Sequence, residues 1–142
     1  MTTSAEHLVK DVVEATNSKD IDKAISLFSD DCIFEDVAPG IVCRGKEELR
    51  KFYKEVFSAF PDFNVELKSS FASGNQLCSE MILSGTHKGK MPDMPMEPTG
   101  KHWSVQSVRV DELREDKVYR TRVYFDMASL LQQIGVMPEP PK

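Results

Sequence analysis

Several features that would assign this sequence to a class at once are missing from it. No run approaches the roughly 18 consecutive apolar residues that cross a bilayer as a helix. The opening residues, Met1 to His7, show no basic region followed by an apolar one, so no secretory leader is expected. Basic charge is not in excess: 18 Lys and Arg stand against 23 Asp and Glu, interspersed, for a net charge of -5. A nucleic-acid binder would instead carry a clustered basic face. Cysteine is scarce, and Cys32, Cys43 and Cys78 lie far apart with no Cys-x-x-Cys pair. Neither a disulfide framework nor a zinc site is indicated, and the thiols are expected to be small buried apolar groups or idle. There is no Gly-x-Ser-x-Gly elbow and no phosphate-cradling glycine loop, and His7, His87 and His102 do not sit at metal-ligand spacing. Together these absences lead us to expect a cytoplasmic protein without nucleic-acid or membrane partners and without metal or cofactor.

What is present is one domain's worth of periodic sequence. A chain of 142 residues buries roughly 68% of its unfolded surface, enough for a core and a cavity. Leu8, Val9, Val12 and Val13 recur at helical spacing, with Thr3 and Glu6 as a capping box upstream. Asp20 is an acceptable N-cap for a second short helix placing Ile21, Ala24, Ile25 and Phe28 on one side, broken at Asp30 and Asp31. Cys32 to Val37 reads as extended, with Phe34 and Asp36 on one face, and Pro39-Gly40 turns the chain toward a short return strand, Ile41 to Cys43. The strongest helical series is Leu49, Phe52, Tyr53, Val56, Phe57 and Phe60, ended by Pro61. The period then switches to two, giving strands at Asn64 to Ala72, Gln76 to Lys88, Lys101 to Glu112 and Lys117 to Phe125. A last helical turn, Ser129 to Ile134, stops at Gly135, and the proline-rich tail is expected to be disordered, leaving 1–136 as the domain. Helices followed by hairpin-linked strands make an α+β fold with helices on one face of a mostly antiparallel sheet. A long amphipathic helix laid across a strongly bent sheet encloses a concave space, walled by alternate strand residues.

The order of these elements and four strings resemble the SnoaL-like polyketide cyclase group of the nuclear transport factor 2-like superfamily. The strings are Phe34 to Gly45 (FEDVAPGIVCRG), Phe57 to Phe63 (FSAFPDF), Gly85 to Gly89 with Pro98 to Lys101 (GTHKG and PTGK), and Asp126 to Gly135 (DMASLLQQIG). The resemblance, spanning Leu8 to Val136, implies a cone-shaped fold, the sheet wrapped around three N-terminal helices and an internal apolar pocket. It also implies a homodimer and cofactor-independent acid–base chemistry on a carbonyl-bearing substrate. Two departures stand out. Arg120-Thr121-Arg122 replaces a frequent Glu-His-Trp string, and Trp103 to Val110, where characterised cyclases carry a histidine, holds Ser104, Gln106, Ser107 and Arg109 instead.

Candidate functional residues follow from position. Asp126 ends a strand before an apolar turn, where burial would raise its carboxyl toward neutrality and suit it to acid–base work, and the resemblance places a family aspartate there. The same position makes it an N-cap for the closing helix. His87 shares strand parity with Met81 and Leu83, so it faces the interior if they do and could stabilise an enolate; it could equally be structural. Asp36 lies on the Phe34 side of its strand, as a second pocket carboxylate or a surface residue of an acidic stretch. Tyr53, Trp103 and Tyr124 are polar-tipped aromatics able to line a pocket or to fill core. Met91, Met94 and Met96 form a soft apolar loop, either a lid or a partner-facing loop. The leading reading is a cyclase or isomerase acting on a small apolar carbonyl compound, polyketide- or steroid-like, with Asp126 as acid–base group and His87 beside it. Its rivals are a binding protein with the same pocket and an interaction module using its open sheet face.

Overall fold

In the computed structural model, which describes residues 4–91, 94 and 96–138, helical spacing yields helices and period-two spacing yields strands. Helix α1 (Ser4–Asn17) buries Val9, Val12, Ala15 and Thr16 along one stripe. Thr3 of the expected capping box, and 139–142 of the expected disordered tail, lie outside the described residues. Lys19 adopts φ 62 and lets Asp20 N–H reach back to Ala15 O at 2.9 Å, which closes α1. Asp20 then caps α2 (Ile21–Ser26), its side chain accepting from Lys23 N–H. This helix stops before Phe28, which sequence spacing had placed inside it. Phe28 opens strand β1 (Phe28–Asp36) and pairs with Val118, so sheet pairing overrides the local helical pattern. Strand β2 (Ile41–Arg44) returns beside β1 and leads into α3 (Gly45–Ala59), which ends before Pro61.

The remaining strands are β3 (Asn64–Ser73), β4 (Gln76–Thr86), β5 (His102–Arg114) and β6 (Lys117–Phe125), followed by α4 (Met127–Gln133). They form one six-stranded sheet in the order β2-β1-β6-β5-β4-β3, with β1 and β6 parallel and the other pairs antiparallel. Glu115 and Asp116, at φ 52 and 63, make the tight β5–β6 turn, whose twist matches the strands it joins. Register shifts in β1, β3 and β5 bend the sheet. Gly135, at φ 84, ends α4 with Val136 N–H bonded to Leu131 O, the cap expected there.

Strand registers place the inward side chains in rows that cross the sheet. One row runs Ile41, Asp36, Val123, Arg109, Ser79, and the row beside it runs Cys43, Phe34, Thr121, Asp111, Leu77. On the other side lie Phe125, Ser107 and Met81, then Val105 and Leu83, then Trp103 and Gly85. Helix α3 lies against β1 and α1 against β3 on this face. Where the concave face is not filled by helix side chains, a cavity remains.

Candidate active site

The cavity measures about 140 Å³ and is walled almost wholly by apolar groups. Helix α3 contributes Phe52, Tyr53 and Val56, the sheet contributes Phe34, Met81, Leu83, Trp103, Val123 and Phe125, and Met127 and Leu130 of α4 close one side. Met91 and Met94 of the long β4–β5 connection also line it, while Pro92, Asp93 and Pro95 of that loop lie outside the described residues. Aromatic rings meet edge to face along the wall, as Phe60 does with Trp103 at 4.9 Å between centroids. Into this surface project four side chains with a polar end, Thr16, Asp36, Tyr53 and Arg109, together with the indole of Trp103.

Asp36 stands at the end of β1 with inward parity, in the row that contains Val123 and Arg109. Its Oδ1 is buried without a hydrogen-bond partner. Removal from water with no cation beside it disfavours the carboxylate, and its pKa rises from 3.8 to about 7. Arg109 sits across Val123, two strands away, so the backbones are separated by about 10 Å. It is only 6% exposed, and its Nε donates to both Asp111 oxygens at 2.9 and 2.8 Å. Asp111, fully buried, also accepts from Thr121 Oγ1 at 2.7 Å. Burial alone would lower the guanidinium pKa, but the charge and hydrogen bonds of Asp111 outweigh it, and the pKa is raised. The cation also lies over the ring of Phe28. Burial pushes the Tyr53 phenol up, and its hydroxyl stands 3.4 Å from Thr16 Oγ1.

Of the residues singled out from sequence, Phe34, Asp36, Tyr53, Met81 and Trp103 line the cavity. Tyr124 does not: it is 43% exposed, because its neighbours Val123 and Phe125 take the inward positions of β6. Asp126 has the same outward parity. It is exposed, its Oδ1 accepts from Ser129 N–H at 3.0 Å, and it serves as the N-cap of α4. His87 has the expected inward parity, but β4 ends at Thr86 and the imidazole packs against Phe60 rather than lining the cavity. Its Nδ1 accepts from Thr99 N–H at 3.2 Å, its backbone pairs with Gly100 and Lys101, and burial lowers its pKa, the backbone of Gly89 acting in the other direction. It thus pins the neck of the Met91–Met94 loop. Sequence reasoning missed the pair Arg109–Asp111; the signal was two opposite charges at i and i+2 sharing strand parity with Trp103 and Val105.

Cys32 and Cys43 are buried free thiols, and burial drives Cys43 up to about 12. Among the described residues no three His, Cys, Asp or Glu side chains converge in a group that could hold a metal ion. None of the described helices is long and apolar enough to cross a membrane.

A family model described as SnoaL-like polyketide cyclase matches residues 6–134. Among curated proteins none matches the sequence. Among solved structures, AclR of Streptomyces galilaeus, a candidate hydroxylase, is 25% identical, with a TM-score of 0.81 over 97% of this chain and 85% of that one. IdmH of Streptomyces antibioticus, a candidate polyketide cyclase, is 19% identical, with a TM-score of 0.78 over 93% of this chain and 99% of that one. A protein of Catenulispora acidiphila with a ketosteroid isomerase-like fold, solved with trimethylamine, is 19% identical, with a TM-score of 0.79 over 94% of this chain and 97% of that one. The last two likenesses are of fold.

Proposed function

The chain belongs to the SnoaL-like polyketide cyclase family, and from that premise we propose that it moves a proton at the carbon next to a carbonyl of a small apolar substrate, without a cofactor. Asp36 is the acid–base group and Arg109 the partner of the oxyanion. The observation that carries the reading is an unpartnered carboxyl, raised to about 7, in the same apolar cavity as a buried guanidinium. A base poised near the working pH combines the ionised state with useful proton affinity.

Ionised Asp36 accepts the proton from carbon, and the C–H electron pair moves into the enolate, placing the charge on the carbonyl oxygen. The Arg109 guanidinium stabilises that charge in a site with few water-accessible polar surfaces, where such an interaction counts for more than in bulk water. Tyr53 offers a second donor. The enolate carbon then attacks a second carbonyl, closing a ring and leaving an alkoxide that takes the proton from Asp36, or the enolate takes that proton back at another carbon, giving an isomer. The roles that sequence position assigned to Asp126 and His87 pass to Asp36 and Arg109, since Asp126 is exposed and engaged as a cap and His87 lies outside the cavity lining.

Exposed Phe71, Val108 and Tyr124 on the outer sheet face support a homodimer through that face, which light scattering tests. The functional reading is tested by proton–deuterium exchange, followed by NMR, on a panel of apolar ketones and β-keto esters. We expect exchange that rises with pH through a midpoint near 7 and disappears in Asp36→Asn. Exchange indifferent to that substitution would end the assignment, and no exchange across the panel would favour a binding protein with the same cavity.

A further inference from the structure

The state that follows proton transfer has a definite charge pattern. Arg109 and Asp111 neutralise one another, so the cavity with Asp36 ionised and a neutral ligand carries the same net charge as the cavity with Asp36 protonated and an oxyanion bound. The second arrangement places the negative charge beside the guanidinium rather than at Asp36 in an apolar wall. Arg109 has room for it. A guanidinium offers five N–H donors; Nε is consumed by Asp111 and Nη2 reaches Thr121 Oγ1 at 3.5 Å. Nη1 has no hydrogen-bond partner among the described residues.

Size adds a second constraint. A cavity of about 140 Å³ is close to that of an engineered apolar cavity, about 150 Å³, that accepts benzene. The walls away from the Asp36–Arg109 row, Leu83, Met91 and Leu130 among them, offer a ring apolar contact, and Trp103 adds the face of its indole, whose buried Nε1–H has no partner among the described residues. We infer that the ligand this cavity holds best is an oxyanion of one-ring size, its charged oxygen on Arg109 and its ring toward Trp103, taken up together with one proton that resides on Asp36. This rests on the acid–base reading above, and it extends that reading from the substrate's enolate to stable carboxylates and phenolates of the same size.

The buried or half-buried titratable groups on the elements around Asp36 include Cys32 on its own strand, Cys43 on β2, Tyr53 and Glu55 on α3, and Arg109 with its partner Asp111 on β5, while Glu48 of α3 lies on the Cys43 side. Lys51 and Lys54 of α3 are exposed, and Arg120 and Arg122 of β6 have outward parity. None offers Asp36 a hydrogen bond, so the carboxyl itself is the group whose protonation the ligand senses.

Calorimetric titration of the full-length protein with benzoate, in buffers of differing ionisation enthalpy, tests the inference. We expect uptake of about one proton per benzoate near pH 8, and an affinity that falls about tenfold per pH unit once Asp36 ionises. In Asp36→Asn the uptake and the pH dependence should vanish while benzoate still binds. Benzamide, the neutral isostere, should bind at least about tenfold more weakly for want of the charge-assisted bond, and anthracene carboxylate should not bind. Equal affinity for benzamide, tight binding of the three-ring acid, or benzoate binding without proton uptake each overturns the inference. Benzoate uptake by a protein that exchanges no ketone proton would end the acid–base reading alone. Ketone exchange with no benzoate binding would do the reverse.

Discussion

Replacing Asp36 by Asn should make the protein more stable at neutral pH while removing its activity. The carboxyl releases its proton at 3.8 in the ordinary case and at about 7 in the folded chain. Below the lower value both states hold the proton and burial of the group carries no charge penalty. Between the two, the unfolded chain ionises and the folded chain does not, so stability falls as pH rises; above the upper value the penalty is constant. The gap corresponds to about 4 kcal/mol at 1.36 kcal/mol per pKa unit. Asn keeps the shape and discards the charge but leaves a buried amide unpaired, a cost of roughly 1–3 kcal/mol. The expected net gain is about 2 kcal/mol near pH 8, or roughly 6 °C in Tm for a domain of this length, shrinking to nothing or reversing near pH 4. Urea denaturation of both proteins across that range is the assay. His87 works in the opposite sense, because its pKa is lowered by burial and the unfolded chain takes up the proton first on acidification. Reading the difference between variant and wild type cancels it. An Asp36→Asn protein no more stable than wild type near pH 8 would refute the claim that this carboxyl is held in a costly site.

Other substitutions separate structural from chemical roles. Asp126→Ala removes the cap on Ser129 N–H and should cost about 1 kcal/mol in urea denaturation, with exchange activity retained. Arg109→Met strands Asp111 as a buried, fully desolvated charge and should cost about 3–5 kcal/mol; adding Asp111→Leu should recover most of that stability without recovering catalysis. Gly89→Ala would drive a methyl into the Ser58 carbonyl, and we expect a loss of about 1–3 kcal/mol from the overpacked contact, visible as a lower Tm.

The architecture was largely legible because its signals are local. The Leu49-to-Phe60 stripe and the period-two strands carry their own periodicity, and Asp20 and Gly135 mark helix ends by chemistry that acts within a few residues. The end of α2 was not legible, because Phe28 is drawn into β1 by Val118, which lies 90 residues further along. For the site, alternation correctly put Asp36 beside Phe34, but whether that face meets water depends on α3 crossing it, a fact of tertiary packing. Tyr124 and Phe125 are adjacent aromatics, so β6 composition leaves open which of them faces in; the structure chooses Phe125 and thereby turns both Tyr124 and Asp126 outward. Arg109 stood out only as a departure from the family pattern and not as a site residue, because a charged residue on a strand is ordinarily read as solvent-facing, whereas here Asp111 and Thr121 hold it from within.

The most direct trial of the account is a side-by-side comparison of α-proton exchange, on the best ketone of the panel, by wild type, Asp36→Asn and Asp126→Asn. The account expects Asp36→Asn to lose about 100-fold or more, the scale of a missing general base, and Asp126→Asn to exchange at close to the wild-type rate. Loss of exchange in Asp126→Asn, with Asp36→Asn still active, would contradict it.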